Sequence, residues 1–374
     1  MKQKKNIVII ENNIIATNTI RQKLTRVMME EFNVTILTTG TETELATAKK
    51  NGFNIIDVKA SNQHPLDVVN YIRNIRKALK AVKPDAVLTF TMRPAIWGNL
   101  VTRQLKIPTI TNITGIGPLF NSNHISYKAA RNLYKFVLKK TALVFFQNYE
   151  DMALFISKKF VHKNNAQRIP GSGVDHEYYK PIYIKTTDNI FRFLFISRLI
   201  KDKGILEYVE ASKKLKQQLN GIECQVLGPL WQQNLKANII TQKEVDQWKE
   251  ENGITYLGAK DDVRPFIAAA DCIVLPSYRE GMSNILLEAA SMQKPCITCD
   301  TTGCNEIVED NVTGFLCEVK NADDLAEKMK KMFLLTQKER VDMGIKARGK
   351  VIKEFDKQIV IDAYLNAIDK ILHA

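Results

Sequence analysis

The sequence predicts an α/β protein of two domains, each built on a parallel β-sheet with helices on both faces. Its 374 residues are enough for two domains that each bury a core. Short apolar runs alternate with longer helical patterns along the whole chain, which is typical of parallel strands covered on both faces. One turn-rich segment, residues 169–175, interrupts this alternation.

The candidate strands are spread over both halves of the chain. In the first half they are residues 7–10, 34–37, 55–58, 86–90, 109–113 and 143–146; in the second half they are 193–196, 223–227, 255–257, 272–275 and 296–298. Gly171 and Gly173 let the backbone turn freely between the two sets, which makes 169–175 a suitable linker. We therefore predict a first domain at 1–170, a second at 171–355, and a last helix at 356–374 that packs back on the first domain.

The chain carries a formal net charge of +14. Nucleic acid, an anionic membrane or a polyphosphate substrate could each explain this excess, and so could lysine-rich helix faces in solvent. No nucleic-acid-binding motif is present and the lysines are spread over many helices, so no nucleic acid partner is predicted. A hydrophobic content of 45% with only 11 prolines predicts a globular chain.

Six cysteines, at positions 224, 272, 296, 299, 304 and 317, lie in the second half. Cys296 and Cys299 have the spacing of a metal or disulfide motif, but on a strand their side chains would point to opposite faces. We predict reduced packing residues in a reducing compartment. Since no run of about 18 apolar residues occurs, and the first apolar run is too short for a signal peptide, we expect a cytoplasmic protein.

The most informative segment is residues 275–288, Leu-Pro-Ser-Tyr-Arg-Glu-Gly-Met-Ser-Asn-Ile-Leu-Leu-Glu. It follows an apolar strand, turns at Gly281 and enters a helix near Ser283. Beyond the carboxyl end of a strand, the amides that begin such a helix can bind an anion. Glu280 and Glu288 cannot bind that anion and are better suited to hydroxyl groups. Phosphate together with hydroxyls predicts a nucleotide-sugar site.

Two cations strengthen this interpretation. Glutamates are common on helices, and the pair alone could reflect a helix dipole and a solvated face. The loop after the candidate strand 193–196 adds Arg198 and Lys203. Arginine can bind two phosphate oxygens at once and lysine supplies a mobile point charge, although both could be solvated loop residues.

The residues around these positions resemble the donor-binding half of glycosyltransferase family 4. The resemblance is carried by residues 262–271, 294–303 and 314–316, and by the Arg-x4-Lys-Gly pattern at 198–204. It covers most of the chain and is densest from 191 to 316. It implies a retaining glycosyltransferase of the GT-B fold, in which two Rossmann-like, doubly wound domains face a central cleft. The N-terminal domain would bind the acceptor and the C-terminal domain the nucleotide sugar.

The resemblance also implies a role for each donor-site residue. As catalytic residues, Arg198 and Lys203 would neutralise the departing diphosphate, and Glu280 would contact the donor sugar. Glu288 would bind the ribose hydroxyls. The remaining donor-binding residues would be Gly281, Met282 and Ser283, whose amides meet sugar and phosphate, and Leu257 and Gly258, which line the base. No Asp-x-Asp motif is present, so we predict metal-independent transfer, without a cofactor, from a nucleotide sugar that is UDP-linked in most of this branch.

The first domain offers candidate acceptor residues. The loop at 111–118, Thr-Asn-Ile-Thr-Gly-Ile-Gly-Pro, resembles a segment of family members that extend sugars on polyprenyl diphosphate carriers, although alone it could be an ordinary loop. Acceptor contacts are predicted for Asn112, Thr114 and Gly115 in this loop, for Arg93 toward the acceptor diphosphate and for Asn12 toward sugar hydroxyls. His124, near the loop, is predicted to be a surface residue.

Taken together, these features predict transfer of a hexose or N-acetylhexosamine to a hydroxyl group of a lipid-linked, polyprenyl diphosphate-bound saccharide in bacterial surface-polysaccharide assembly. In the front-face mechanism proposed for the family, the protein supplies positioning and charge rather than a nucleophile. Two other classes share this architecture. A non-hydrolysing UDP-sugar 2-epimerase needs further acid–base groups, and a catalytically inactive nucleotide-sugar-binding protein would not need the four charged donor-site residues.

A lipid-linked acceptor must be reached at a membrane. Residues 125–140 have helical spacing and several basic residues but no acidic one. We predict that Leu133, Phe136, Val137 and Lys140 pack on the sheet. The other basic positions, which would face anionic headgroups, are Lys128, Arg131, Lys135 and Lys139. Peripheral association with the inner face of the cytoplasmic membrane, through the first domain, is therefore predicted.

Overall fold

The computed structural model describes residues 4–59, 65–116, 120, 125–184, 188–231 and 238–373. The chain divides into two compact units. Unit 1 comprises residues 1–172 together with 357–374, and unit 2 comprises residues 173–356.

Unit 1 is built on a parallel sheet. Its seven strands within the described ranges are β1 (Asn6–Ile10), β2 (Asn33–Thr38), β3 (Asn54–Asp57), β4 (Ala86–Phe90), β5 (Thr109–Ile113), β6 (Leu143–Phe146) and β7 (Ala166–Arg168). Their order is β3-β2-β1-β4-β5-β6-β7, and all neighbours run parallel. The order reverses between β1 and β4, and in open α/β sheets ligands bind at such a point, beyond the carboxyl ends of the strands.

Helices cover both faces of this sheet, so every residue of β4 and β5 is buried. That burial explains why the strands appear in the sequence as near-continuous apolar runs. The helices are α1 (Ile15–Asn18), α2 (Gln22–Glu31), α3 (Glu42–Lys50), α4 (Pro65–Val82), α5 (Asn99–Leu105), α6 (Ile125–Leu138) and α7 (Tyr149–Ser157), with a π-helical turn at Pro94–Gly98 and a 3₁₀ turn at Lys163–Asn165.

Unit 2 repeats the same plan with six strands in its described part: β8 (Phe191–Ile196), β9 (Ile222–Leu227), β10 (Thr255–Tyr256), β11 (Cys272–Leu275), β12 (Cys296–Cys299) and β13 (Gly314–Cys317). The order is β10-β9-β8-β11-β12-β13, again parallel. The order reverses between β8 and β11. Its helices are α8 (Ile205–Gln218), α9 (Gln242–Asn252), α10 (Arg264–Ala269), α11 (Asn284–Ser291), α12 (Ala322–Leu334) and α13 (Gln337–Phe355), with a 3₁₀ turn at Lys201–Lys203.

The last helix, α14 (Lys357–Leu372), follows unit 2 in sequence but belongs to unit 1. Its residues Val360, Ile361 and Tyr364 are buried in the same apolar cluster as residues of β1 and β4. The Tyr364 ring packs on Phe145 with 4.9 Å between ring centroids. Its hydroxyl accepts a hydrogen bond from the side-chain amide of Asn112 in β5. The helix is therefore part of the unit 1 core.

The predicted parallel sheets are confirmed, and each of the predicted apolar runs overlaps a strand. Two strands were not predicted, β7 and β13. β7 is only three residues long, is polar and lies at the edge of its sheet. β13 begins at Gly314 and is four residues long. β7 carries too few apolar residues to stand out in a sequence, whereas β13 is apolar after Gly314 and was missed although it is as long as β12.

Helix α6 forms where a helix was predicted, but the face assigned to the core was partly wrong. The structure buries Tyr134, Val137 and Leu138, whereas Phe136 is 50% exposed and Lys140 is exposed. Phe136 instead lies under the guanidinium group of Arg103, 3.8 Å from its ring centroid. Of the described helices, none is long and apolar enough to span a membrane.

All six cysteines are free thiols buried in the core of unit 2. Cys299 and Cys317 are partners on the adjacent strands β12 and β13, and their sulfur atoms lie 3.7 Å apart. Burial raises the pKa of the Cys296 thiol to about 12. These cysteines pack as small apolar side chains.

Candidate active site

The loop after β8 carries two of the predicted catalytic residues, Arg198 and Lys203. It passes through the 3₁₀ turn Lys201–Lys203 and reaches α8 at Gly204, which has φ +73°. A Cβ atom at this position would lie 2.0 Å from the carbonyl oxygen of Pro276, just beyond β11. Only glycine fits here, and this close approach brings the β8 loop against the β11 loop.

The β11–α11 loop is fixed from behind by the segment after β12. The amide of Glu280 donates to the carbonyl of Thr302 at 3.0 Å, and the amide of Ser283 donates to the carbonyl of Gly303 at 3.0 Å. Gly303 has φ +74°, and a Cβ atom there would lie 2.6 Å from the Glu280 carbonyl oxygen. Since the Ser283 amide is already paired inside the protein, its proposed contact with the donor would have to come from its side chain.

Lys203 and Glu280, which are 77 residues apart in sequence, form an ion pair. Their side chains are only 15% and 13% exposed. Partly buried charges are costly unless they are paired, so each side chain satisfies the other. The sequence predicted both residues for one site but not their direct contact.

Arg198 is exposed and stacks on an aromatic ring that sequence reasoning missed. Its guanidinium carbon lies 4.9 Å from the ring centroid of Trp231, in the loop after β9. Such a cation–π contact fixes the plane of the guanidinium group and leaves its edge N–H groups free to bind oxygen atoms. In the sequence, Trp231 is marked only by its position shortly after the end of a predicted strand, which is a weak signal alone.

Glu288 is the fifth residue of α11, eight residues after Glu280 in sequence. Tyr179 is near this carboxylate, and burial together with the charge of Glu288 raises the pKa of Tyr179 well above its usual range. It lies at the start of unit 2, far from Glu288 in sequence, and carries no motif that could have marked it.

One cavity of about 390 Å³ brings these side chains together within unit 2. Its lining includes Arg198, Lys203, Glu280, Met282, Ser283 and Glu288 of the predicted set, together with Gly228, Pro229, Lys260, Asn284 and Ile285. The wall therefore combines three cations, two carboxylates and apolar surface at the carboxyl ends of β8 and β11. This is a suitable composition for a ligand that carries phosphate, hydroxyl groups and a planar ring.

Leu257 and Gly258, predicted to line a base, lie behind this cavity rather than on its described lining. The Leu257 amide donates to the Val226 carbonyl at 2.8 Å, and the Gly258 carbonyl accepts from the Gly228 amide at 2.9 Å. Gly228 has φ +146°, and a Cβ atom there would lie 1.8 Å from the Ser197 carbonyl oxygen. Gly228 and Pro229 therefore line the cavity wall, and the predicted residues Leu257 and Gly258 support them from behind.

The predicted acceptor residues lie in unit 1 and differ in accessibility. Asn12 is exposed in the loop after β1. Arg93 follows β4, half-buried, with its guanidinium carbon 4.5 Å from the centroid of the Tyr71 ring. Burial lowers the pKa of Arg93. Asn112 is only 3% exposed and bonds to α14. Thr114 and Gly115 are intermediate in exposure. Gly117 and Pro118 of the same loop, and His124 near it, fall outside the described residues.

Unit 1 has unusual backbone where β4 ends, which sequence reasoning missed. Thr91 has φ +69°, a conformation that costs energy for a β-branched residue, and the π-helical turn Pro94–Gly98 follows at once. The side-chain oxygen atoms of Thr91 and Tyr71 are buried, and within the described part of the chain neither has a hydrogen-bond partner. Strain of this kind is concentrated at functional sites.

A metal site is not formed by the residues described here, since no group of three or more His, Cys, Asp or Glu side chains is placed to hold an ion. Two pairs of adjacent acids occur in unit 2, at 261–262 and 323–324, and members of both pairs have local partners. Asp262 pairs with Arg264 at 2.8 Å, and the carboxylate of Asp324 accepts from the Glu318 amide at 2.7 Å.

Two open parallel sheets, with a charged cavity at the strand ends of the second, are the architecture of GT-B glycosyltransferases. The family model described as "Glycosyl transferases group 1" matches residues 180–350, and "Glycosyl transferase 4-like" matches residues 16–148. The chain belongs to glycosyltransferase family 4 and is a glycosyltransferase. The predicted family and GT-B fold are confirmed.

Similar proteins of known function act on lipid-linked sugars. The chain is 24% identical to the N,N'-diacetylbacillosaminyl-diphospho-undecaprenol alpha-1,3-N-acetylgalactosaminyltransferase of Campylobacter jejuni over 85% of both proteins. It is 27% identical to the UDP-Gal:alpha-D-GlcNAc-diphosphoundecaprenol alpha-1,3-galactosyltransferase of Escherichia coli, over 78% of this chain and 79% of that protein.

Solved structures share the fold across nearly the whole chain. A glycosyltransferase from Rickettsia africae has a TM-score of 0.80 at 20% identity, with 99% of each chain covered. Anabaena HepE in complex with UDP has a TM-score of 0.79 at 17% identity, covering 98% of this chain and 100% of that one.

Proposed function

We propose that this protein transfers a hexose or N-acetylhexosamine from a UDP-linked sugar to a hydroxyl group of a polyprenyl diphosphate-linked saccharide in bacterial surface-polysaccharide assembly. Transfer proceeds with retention of anomeric configuration and without a metal ion. The observation that carries the proposal is the cavity of unit 2, in which the Lys203–Glu280 ion pair, Arg198 and Glu288 line one space. The two relatives named above, which use diphosphoundecaprenol-linked acceptors, support the acceptor class.

The donor occupies the unit 2 cavity with its diphosphate toward Arg198 and Lys203. Without donor, Glu280 neutralises Lys203 in a partly buried position. With donor, Lys203 turns to the diphosphate and Glu280 binds hydroxyl groups of the sugar. Glu288 accepts hydrogen bonds from the ribose hydroxyls, a contact that distinguishes a nucleotide sugar from simple phosphate. Met282 and Ser283 bound the sugar, and Gly228 and Pro229 form the wall beside the base, supported by Leu257 and Gly258.

The chemical step needs charge and positioning more than an acid–base pair. The bond between the anomeric carbon and the diphosphate breaks, and the diphosphate leaves with the electron pair. The acceptor hydroxyl attacks on the same face, and its proton passes to the departing phosphate oxygen. Arg198 and Lys203 stabilise the negative charge that develops on this oxygen, which is the role a divalent ion plays in other transferases.

The first test separates binding from catalysis in unit 2. Glu280→Gln should lower kcat far more than it weakens UDP binding, because Glu280 acts on the sugar in the transition state. Lys203→Ala should weaken UDP binding by roughly 10- to 150-fold, the loss of a hydrogen bond to a charged group. Lys201→Ala is the matched control, since this lysine is two residues away and does not line the cavity.

Binding of UDP is measured by titration calorimetry. Turnover is measured with a panel of UDP-sugars as donors and a diphosphoundecaprenol-linked saccharide as acceptor. NMR of the product reports its anomeric configuration. An inverted product would refute retention, and the C2-epimer of the sugar nucleotide in place of a glycoside would favour an epimerase. If Lys203→Ala binds UDP as well as Lys201→Ala does, the diphosphate assignment is wrong.

Unit 1 supplies the acceptor-binding residues. Arg93, at the carboxyl end of β4, binds the acceptor diphosphate, and Asn12, Thr114 and Gly115 face its sugar. Asn112 supports this region from within, through its bond to Tyr364. An Arg93→Gln variant should raise KM for the lipid-linked acceptor and leave UDP affinity unchanged. An unchanged acceptor KM would contradict this role.

The protein associates with the inner face of the cytoplasmic membrane through the basic surface of α6. Lys128 is exposed on α6, Lys139 is exposed directly after it, and Arg131 is partly exposed. The Lys135 ammonium group donates to the Lys158 carbonyl at 3.0 Å. Each basic residue near an anionic surface contributes about 1 kcal/mol, so two charge reversals should weaken binding strongly.

Co-sedimentation with vesicles that contain phosphatidylglycerol tests this association at low and high salt. Lys128→Glu with Lys139→Glu should abolish the salt-sensitive binding. Lys49→Glu with Lys50→Glu, two exposed lysines on α3, is the control of equal charge. Equal binding by the two double variants would refute a role for α6.

A further inference from the structure

Helix α13 exposes a stripe of apolar surface to solvent. Val341 is 51% exposed, Ile345 50% and Ile352 37%, and Gly349, which lies between the two isoleucines, is also exposed. At 3.6 residues per turn these four positions lie on one face of the helix. This α13 stripe is separate from the donor cavity, since the described lining of that cavity includes no residue of α13.

The core of unit 2 already uses the opposite face of α13. Ala347 and Val351 are buried there, and Gly344 lies close to the end of α11, where a Cβ atom on it would be 2.1 Å from the Gln293 carbonyl oxygen. Gly349 has no such contact, because a Cβ atom at this position would meet no described atom within 4 Å. Glycine inside a helix is destabilising relative to alanine. The described fold therefore does not explain Gly349, whereas the side chain of a crossing helix would fill its space.

The charges beside the α13 stripe match those of a second copy of the chain. Asp342 and Lys353 are exposed and lie about 60° and 80° around the helix from Ile345, on the same side. In an antiparallel pair with two-fold symmetry, Ile345 of each helix packs into the space at Gly349 of the other. This register brings Asp342 of each copy beside Lys353 of the other, so the pairing of opposite charges occurs twice.

An anionic membrane is the other surface that an exposed amphipathic helix can meet. Asp342 is unfavourable there, because anionic headgroups repel a carboxylate at the edge of the apolar surface, but it is paired between two copies. One helix face is smaller than the roughly 800 Å² per partner that a stable interface buries. Association through α13 is therefore weak and depends on concentration.

We propose that this protein forms a homodimer in which the α13 stripe of one copy packs antiparallel on that of a second copy. The dimer goes beyond the proposed function, which involves no residue of α13. Its recognition is self-complementary, as expected of an interface with two-fold symmetry. Apolar surface meets apolar surface, and Asp342 meets Lys353.

Sedimentation equilibrium of the full-length protein, from low micromolar to submillimolar concentration, measures the association. The weight-average mass should rise from the monomer value of 42.6 kDa toward twice that value. Ile345→Glu places two charges at the centre of the interface and should weaken association more than about tenfold. Val69→Glu is the matched control, because Val69 is an apolar residue on α4 with a similar exposure of 42%, and this variant should associate as the wild-type protein does.

A mass that stays at 42.6 kDa at every concentration, or equal association by Ile345→Glu and Val69→Glu, would overturn the proposal. Co-sedimentation with vesicles that contain phosphatidylglycerol tests the membrane as the alternative. Loss of vesicle binding in Ile345→Glu, by a protein that is monomeric throughout, would assign the α13 stripe to the membrane instead of to a second copy.

Exchange of the two charges tests the antiparallel register. Asp342→Lys and Lys353→Asp each place like charges opposite one another and should each weaken self-association by roughly three- to tenfold. A mixture of the two variants should form heterodimers about as tightly as the wild-type protein dimerises, because both opposite-charge pairs are restored across the interface. Exposed charge changes of this kind leave the fold intact, so the test holds even if Ile345→Glu does not fold. A mixture that associates no better than either variant alone would refute the antiparallel dimer.

Discussion

Replacing Gly303 with alanine should damage the donor site through the backbone. Gly303 has φ +74°, and its Cβ atom would lie 2.6 Å from the Glu280 carbonyl oxygen and 2.8 Å from that of Gly281. The left-handed conformation costs alanine about 1–2 kcal/mol. Relieving the overlap requires a backbone shift of several tenths of an ångström, which in packed protein costs about 1–3 kcal/mol more. The shift would move Glu280, so UDP binding should weaken as well.

Gly221→Ala isolates the conformational cost. Gly221 is in the same unit with φ +75°, and its Cβ atom would meet only the Asn189 carbonyl oxygen, at an ordinary 3.4 Å. Urea denaturation should show that Gly303→Ala loses about 1–3 kcal/mol more than Gly221→Ala, and calorimetry should show weaker UDP binding only in Gly303→Ala. Equal stability losses together with unchanged UDP affinity in Gly303→Ala would refute the steric reasoning.

Three further predictions concern other parts of the molecule. Arg21→Leu leaves the Glu11 carboxylate buried without its two hydrogen bonds from Arg21, of 3.1 and 3.0 Å. Urea denaturation should show that the free energy of unfolding falls by about 3–5 kcal/mol. A fall of less than about 1 kcal/mol would contradict the need for this pair. Trp231→Leu removes the ring over Arg198 and should weaken UDP binding about two- to fivefold. Trp231→Phe, which keeps an aromatic ring, should bind UDP nearly as tightly as the wild-type protein. Unchanged affinity in Trp231→Leu would show that the stacking is unimportant. Transferase activity should survive EDTA, and a loss that manganese restores would overturn metal-independent transfer.

The sheets could be predicted because their strands are buried on both faces. β4, β8 and β11 appear in the sequence as apolar runs bounded by turn residues, and parallel order follows from the helical patterns in between. The same logic brings Arg198, Lys203 and Glu280 to one edge of a sheet, since both of their loops follow the carboxyl ends of neighbouring strands. The resemblance to glycosyltransferase family 4 then predicted what these residues bind, namely the diphosphate and the sugar of the donor.

What could not be predicted depends on contacts between distant segments. The Lys203–Glu280 pair and the ring of Trp231 over Arg198 follow from how loops fold against each other, which no periodicity encodes. The exposed face of α6 was misassigned because Tyr134 and Phe136 are both aromatic, and only packing decides which one is buried. The left-handed Thr91 has no sequence signal, because the surrounding structure imposes its conformation.

The position of α14 has a consequence for the order in which the protein can fold during synthesis. Unit 2 is one continuous segment and can complete its core once residue 356 has left the ribosome. Unit 1 begins first but finishes last, because its core includes Tyr364, which bonds to Asn112 across 252 residues of sequence. Until then the apolar surface that α14 covers stays open, and exposed surface of this kind favours aggregation and chaperone binding. A chain that ends at residue 356 and has been released from the ribosome would thus carry a finished second unit and an unfinished first one.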